Sequence, residues 1–294
     1  MKPPRFAYLA PATLQEAMAL LARHSGTAKL IAGGQSLMPA LNFRLAGPDI
    51  LIDLNRIAEL QRVSIEPDGA MTIGAMTRHR RFETDTGIGR HWPLLKEAVR
   101  FIAHVQIRNR GTIGGSLCHA DPSAEWPALC LACDAAMVLS SVRGERIVPA
   151  ADFATGLFGT ALAPDEILTA VRFPAPPARA SWGFEEIARR RGDFAIVGAA
   201  CRLALDNAGC CSDARLVIFG AGDQPVLAAS ASAALAGRRL DPPAIAAAAA
   251  AARREVPCRS DQQASERYRS SLVETLSARV LRQAGAMNGE HAHG

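Results

Sequence analysis

Two glycine turns constrain this chain more than anything else in it: Gly33-Gly34-Gln35-Ser36, and Gly114-Gly115-Ser116 about 80 residues later. Glycine has no Cβ and reaches φ > 0 freely, so its backbone N–H groups can close on an anion that a larger residue would hold off. The first turn follows Lys29-Leu-Ile-Ala32, an apolar run that reads as a buried strand, and leads into Leu37-Met38-Pro39. Open α/β units place ligands at strand ends of this kind. Neither turn is a dinucleotide fingerprint, which needs G-x-G-x-x-G and an acidic residue about 20 positions on, and neither has the lysine of a P-loop. Their recurrence carries the weight. Two such turns can hold the two ends of one extended phosphate-bearing ligand; two unrelated loops is the other reading.

The elements around these turns divide the chain. Thr13-Leu-Gln-Glu16 is a capping box, starting a helix that buries Leu14, Ala17, Met18 and Leu21 and stops at Gly26. Ile50–Leu54 reads as a second strand, and Val63–Ile65 with Met71–Ile73 as a hairpin around Asp68-Gly69. The spacing of Leu94, Leu95, Ala98, Ile102 and Val105 predicts one helix from Trp92 to Val105, with His104 a hydrogen-bonded structural residue beside its apolar face. Pro127–Cys133 reads as helix, and Ala136–Leu139, Arg146–Val148 and Asp165–Phe173 as strands, before the stiff stretch Pro174-Ala-Pro-Pro177. From Trp182, strand pattern reaches about Leu205 and pairs through Asp206–Gly209 with Ala214–Phe219. Helices follow at Pro243–Arg254 and Ser265–Gln283, the latter with Tyr268, Leu272, Leu276 and Val280 on one stripe. Asn288–Gly294 reads as a frayed tail whose His291 and His293 carry no function. The expected units are residues 1–57, 58–176, 177–288 and the tail 289–294.

Composition excludes several classes. At 294 residues and 49% hydrophobic the chain can build real cores. The net charge of +5, from 33 basic and 28 acidic residues, is too thin and dispersed for nucleic acid, and Arg78, Arg80 and Arg81 read as a solvated patch. Seven cysteines suggest no disulfide framework, which fits a reducing compartment. Cys130-Leu-Ala-Cys133 lacks a second pair and sits in apolar sequence, so it reads as buried structure and no metal site is expected. No run of about 18 uncharged apolar residues appears, so a membrane span is not expected and a cytoplasmic location is. His119 and Asp121 stand like an acid/base pair, but they read as residues that shape the loop bracketed by Pro122 and Pro127. No catalytic residue is assigned.

With both turns in place, the chain resembles the FAD-binding medium subunit of the molybdenum hydroxylases, the group that contains carbon monoxide dehydrogenase and the flavin domain of xanthine dehydrogenase. The residues that carry the resemblance are Ala32-Gly33-Gly34-Gln35-Ser36-Leu37, then Thr112-Ile113-Gly114-Gly115-Ser116 with Ala120-Asp121-Pro122 and Glu125 behind it, and Arg191-Gly192-Asp193-Phe194-Ala195. It implies an α+β protein: a two-subdomain FAD-binding domain of the vanillyl-alcohol-oxidase (PCMH) type, then a smaller α+β domain with an antiparallel sheet and helices. By the same resemblance Ala32–Leu37 and Thr112–Ser116 grip the FAD pyrophosphate through backbone N–H groups. Ala124 and Glu125 contact the flavin side, Leu168 lines the ring system, and Phe194 replaces an aromatic residue, often tyrosine, near the isoalloxazine. Glu185 stands where the xanthine-oxidising branch carries a lysine.

The resemblance further implies electron transfer from a large molybdopterin subunit, through a small [2Fe–2S] subunit, to FAD and an external acceptor, within a dimer of heterotrimers. The substrate would then be oxidised on another polypeptide. A stand-alone FAD-dependent oxidoreductase and a flavin-binding assembly or sensor protein are the alternatives.

Overall fold

The computed structural model describes residues 2–291, with side chains described through residue 287. Strands β1 (Ala7–Leu9), β2 (Ala28–Ile31) and β3 (Ile50–Asp53) form a parallel sheet in the order β1-β3-β2. Parallel strands need a crossover, and helix α1 (Leu14–Arg23) supplies it between β1 and β2. The capping box is made: Thr13 Oγ1 accepts from the Glu16 N–H at 3.2 Å, and the Glu16 carboxylate accepts from Ala12 and Thr13. Ala17, Met18 and Leu21 pack with Ile52, Leu54 and Ile57 as a small core. The chain leaves β2 straight into the first glycine turn and the short helix α2 (Leu37–Asn42).

A second sheet begins with the expected hairpin, β4 (Val63–Ile65) and β5 (Met71–Gly74). Six short helices follow: α3 (His79–Thr84), α4 (Thr86–His91), α5 (Pro93–Ala98), α6 (Val105–Arg108), α7 (Ile113–His119) and α8 (Glu125–Ala132). After them come β6 (Ala136–Ser141), β7 (Gly144–Pro149), α9 (Ala150–Phe153), the hairpin β8 (Ala154–Gly156) and β9 (Gly159–Thr160), and β10 (Ile167–Phe173). The sheet is antiparallel in the order β4-β5-β10-β6-β7. Every residue of α8 is buried, Cys130 and Cys133 beside it are free and fully covered, and the Trp126 ring lies 4.4 Å from that of Phe82.

The single helix expected from Trp92 to Val105 does not form. Pro93 starts α5, which stops at Ala98, and Ala103 takes φ +44°, a conformation no right-handed helix holds. The carbonyls of Ile102 and Ala103 accept from Arg108 Nη1 at 2.9 and 2.8 Å, so a side chain takes the place of helical N–H donors. His104 is exposed and precedes α6, not a structural histidine on an apolar face. Nor do three arginines make a patch: Arg80 pairs with Glu83 at 2.8 Å, Arg81 with Asp85 at 3.1 Å, and Arg78 turns inward.

The third sheet, β11 (Ala180–Ile187), β12 (Val197–Leu205), β13 (Cys211–Phe219) and β14 (Val226–Leu227), is antiparallel in that order. Helices α10 (Ala229–Leu235), α11 (Pro242–Glu255) and α12 (Glu266–His291) cover one face. The other face lies on the second unit, where Phe184, Ala200 and Phe219 join one core with Trp126, Leu129 and Phe173. On α12 the buried stripe is Val273, Leu276, Val280, Leu281 and Ala284; Tyr268, expected on it, is exposed because the apolar face begins a turn later. The expected tail is partly helical, with α12 running to His291, while residues 292–294, including His293, lie outside the described residues. Among the described residues no helix is long and apolar enough to cross a membrane, and no group of three potential metal ligands occurs.

Candidate functional site

The two glycine turns meet side by side. A Cβ on Gly33 would come 2.4 Å from the Arg110 carbonyl oxygen and 2.8 Å from the Gly111 Cα, and one on Gly115 would sit 3.5 Å from the Ala32 Cβ. Two segments far apart in sequence therefore form one floor, with glycine required where backbones touch. In the first turn Gly34 takes φ +73°. The Gln35 amide donates to the Gly33 carbonyl at 3.0 Å, and the Met38 N–H to the Gly34 carbonyl at 3.1 Å. The N–H groups of Gly33, Gly34, Gln35 and Ser36 have no acceptor among the described residues. Successive free N–H groups around a positive-φ residue form an anion-binding concavity.

The second turn, expected to donate in the same way, is built differently. Thr112 caps α7, its Oγ1 accepting from Gly115 N–H at 3.0 Å; Ile113 and Gly114 donate to the carbonyls of Thr77 and Ala75 at 3.1 and 2.8 Å; Ser116 donates to the Thr112 carbonyl at 3.1 Å. Those four donors are used inside the chain. The segment contributes close-fitting glycines and hydroxyls instead: a Cβ on Gly114 would stand 2.6 Å from that of Ala75.

Three residues that sequence patterns did not mark tie the two turns together. Asn55 Nδ2 donates to the Ala32 carbonyl at 2.9 Å, and Arg78 donates from one nitrogen to Asn55 Oδ1 and from another to the Arg110 carbonyl. Burial, then the Arg110 charge, lowers the pKa of Arg78. Two guanidinium groups thus flank a concavity of free N–H groups. Behind them His79 is buried, with Nδ1 accepting from Trp126 Nε1 at 2.9 Å; burial, helped by Arg78 and Arg108, pulls its pKa down to about 3. It is neutral and structural.

The far side of the site is acidic. Asp121 shapes its loop as expected, accepting from Ser123 N–H at 2.9 Å, and the Gly220 N–H donates to the Pro122 carbonyl at 2.9 Å, pinning this loop to the third sheet. Ala124 precedes α8 and Glu125 opens it, buried. Burial pushes the Glu125 carboxyl up, against its own N–H, and the Asp121 charge adds to the rise. Across from it stands Glu186, raised by burial first and by Glu125 second, its Oε2 buried with no hydrogen-bond partner. Glu185, singled out from the sequence, points the other way, taking Arg279 Nη1 at 2.6 Å and Gln283 Nε2 at 3.4 Å on α12. Adjacent strand residues face opposite sides, so the carboxylate that reaches the site is its neighbour. Leu168 belongs to the core that holds Ile113 and Leu117. Phe194 is 54% exposed, in a loop whose Gly192 rests on His104.

The family of the FAD binding domain in molybdopterin dehydrogenase matches residues 4–176, and that of the CO dehydrogenase flavoprotein C-terminal domain matches residues 182–284. The chain belongs to the FAD-binding medium-subunit family of the molybdenum hydroxylases. It is 41% identical to the 6-hydroxypseudooxynicotine dehydrogenase complex subunit alpha of Paenarthrobacter nicotinovorans, over 97% of this chain and 96% of that one. It is 38% identical to the caffeine dehydrogenase subunit beta of a Pseudomonas species, over 97% and 96%. The fold matches a chain in a structure of carbon monoxide dehydrogenase from Hydrogenophaga pseudoflava with TM-score 0.95 and 38% identity, covering 98% of this chain and 99% of that one. The cofactor is FAD, and the family members are subunits of FAD-dependent oxidoreductases.

Proposed function

We propose that this chain binds FAD across the two turns and passes electrons through it, as the medium subunit of a molybdenum hydroxylase. The observation that carries the reading is the run of four free N–H groups at Gly33–Ser36, flanked by Arg78 and Arg110, which suits a pyrophosphate. Ala32–Leu37 hold it through the backbone. Thr112–Ser116 shape the opposing wall with Gly114 and Gly115, while Ala124, Glu125, Leu168 and Phe194 serve the flavin side. This division matches a PCMH-type FAD-binding domain built from residues 1–57 and 58–176, with 177–288 as the C-terminal domain and 289–294 as its tail.

FAD, when bound, supplies the redox chemistry that lets electron pairs and single electrons exchange. The protein's residues bind and orient it. The guanidinium groups of Arg78 and Arg110 offset phosphate charge, and the raised carboxyl of Glu186 keeps a proton at Oε2 as a neutral donor, as a buried carboxylic acid can near neutrality. Electrons arrive from a small [2Fe–2S] subunit fed by a large molybdopterin subunit, in a cytoplasmic dimer of heterotrimers, and leave to an external acceptor. The relatives act on substrates as different as caffeine and carbon monoxide by name, so the substrate belongs to the large subunit.

Reconstitution tests this reading. The purified chain takes up FAD and turns yellow, and its flavin is reduced by substrate only when both partner subunits are present. A chain that stays colourless with excess FAD sinks the assignment; direct reduction by a substrate in the isolated chain points to a stand-alone oxidoreductase.

A further inference from the structure

A second cleft opens at the other end of β11. Trp182 and Glu186 lie on the same face of this strand four residues apart, about 13 Å at the usual strand rise. The cleft, about 750 Å³, lies between α4–α5, the Pro176-Pro177 stretch and the β12–β13 turn, and none of its lining residues belongs to the glycine-turn site. Its volume is that of small-molecule sites, which are commonly about 300–1,000 Å³.

Its walls are flat and apolar, formed by Trp92, Trp182 and the prolines Pro93, Pro176 and Pro177. Its charged lining is mainly basic: Arg90, Arg179 and Arg202 against Asp206, whose Oδ1 already takes the Ala208 and Cys210 N–H groups at 2.9 Å each. Two donors there have nothing to donate to. Trp182 Nε1 and Arg202 Nε are buried without a partner, although Arg202 is only 7% exposed and its Nη2 pairs with Asp213 at 2.6 Å. Trp92 differs, its Nε1 donating to the Pro174 carbonyl at 3.2 Å. Buried N–H groups are almost always paired, so two unpaired donors lining one cleft mark the place of an acceptor.

We propose that this cleft binds a planar aromatic anion, its ring lying against the indoles and its acid oxygens taking the Trp182 and Arg202 N–H groups. Indole faces favour a flat ring over an aliphatic chain of equal size, and an anionic acceptor gains most from a guanidinium donor. An aryl acid and a nucleotide monophosphate share this chemistry.

The test is calorimetric titration of the FAD-loaded chain with 2-naphthoate, with adenosine monophosphate, and with the uncharged 2-naphthalenemethanol. The expected result is saturable one-to-one binding of a ring-bearing anion, with the alcohol much weaker; whichever anion binds tighter identifies the source. Trp182→Phe keeps a ring and removes the N–H, and Arg202→Gln removes the charge; each should weaken binding by about tenfold or more at unchanged flavin content. Arg179→Ala, at the exposed rim, should weaken it less and serves if Arg202→Gln fails to fold. The proposal is overturned if neither anion binds at millimolar concentration, if the alcohol binds equally well, if Trp182→Phe binds as wild type, or if FAD loading displaces the anion.

Discussion

Asn55 donates its side-chain amide to the carbonyl of Ala32 at 2.9 Å and accepts from Arg78, which in turn donates to the Arg110 carbonyl. One side chain thereby sets the exit of β2 against the segment that precedes Thr112. Asn55→Ala leaves the Ala32 carbonyl and an Arg78 nitrogen without partners, at about 1–3 kcal/mol. The expected outcome is flavin binding weakened by about tenfold or more, read from flavin-to-protein ratio after dialysis. Full flavin retention would show that the clamp does not govern the site.

The glycines of the two turns should differ in tolerance. A Cβ on Gly33 meets main-chain atoms at 2.4–2.9 Å, which cannot move without separating the turns. On Gly115 it meets the Thr112 Oγ1 at 2.9 Å, a side-chain atom that a rotamer change can withdraw at the loss of the cap. Gly33→Ala is expected to abolish flavin uptake, while Gly115→Ala lowers stability by about 1 kcal/mol, the ordinary worth of an N-cap, with uptake mostly kept. Gly115→Val, larger and β-branched, should lose uptake as well. Equal retention in all three variants would refute the placement.

Protonation of Glu186 links stability to pH. Its folded-state pKa is raised by burial and by Glu125, so the folded chain holds a proton that the unfolded chain has released. Stability from this group is full below the ordinary glutamate value of 4.5 and falls as pH rises through the elevated folded value. Glu186→Gln, which keeps the shape and cannot ionise, should flatten the alkaline decline and raise the melting temperature at pH 8 by roughly 2–4 °C per kcal/mol recovered. A melting profile parallel to wild type would remove the carboxyl from the account.

His79 acts with the opposite sign. Its pKa, pulled down to about 3 from 6.5, means that the unfolded chain binds a proton the folded chain refuses. Stability is therefore complete above 6.5 and lost as pH falls toward 3, on the order of 3 kcal/mol between pH 6.5 and pH 4. His79→Gln should lower stability at neutral pH through the lost Trp126 bond yet show a shallower acid slope. Denaturant titrations at several pH values read this, and an unchanged slope would contradict it.

Local signals in the sequence were legible where the partner lies within a few residues. Thr13 and Glu16 cap α1 from three positions apart, and Asp68-Gly69 turns its hairpin, because short-range geometry is written in adjacent residues. Both glycine turns stood out for the same reason. The clamp did not: Arg78 is 23 residues from Asn55 and 32 from Arg110, and nothing in an isolated arginine distinguishes a clamp from a surface charge. Helix periodicity from Trp92 to Val105 was real as burial for Leu94, Leu95, Ala98 and Ile102, but Arg108 takes the carbonyls that a continuous helix would have used. Glu185 and Glu186 could not be told apart without the strand's register, since a shift of one residue exchanges the two faces.

Strand β12 has consequences for how the molecule can be divided. Val197, Ala199, Cys201 and Leu203 belong to the core under α11 and α12, while Ala200 belongs to the core around Trp126. Arg215 on β13 also donates to the Leu131 carbonyl at the end of α8, at 3.0 and 2.9 Å. Cutting the chain at the Pro174–Pro177 stretch would expose Phe101, Trp126 and Phe173 on one fragment and Phe184 and Phe219 on the other. The two recognisable modules are thus obligate companions: they have separate sequence signatures but a shared hydrophobic interior, and neither is a free-standing unit of inheritance or of expression.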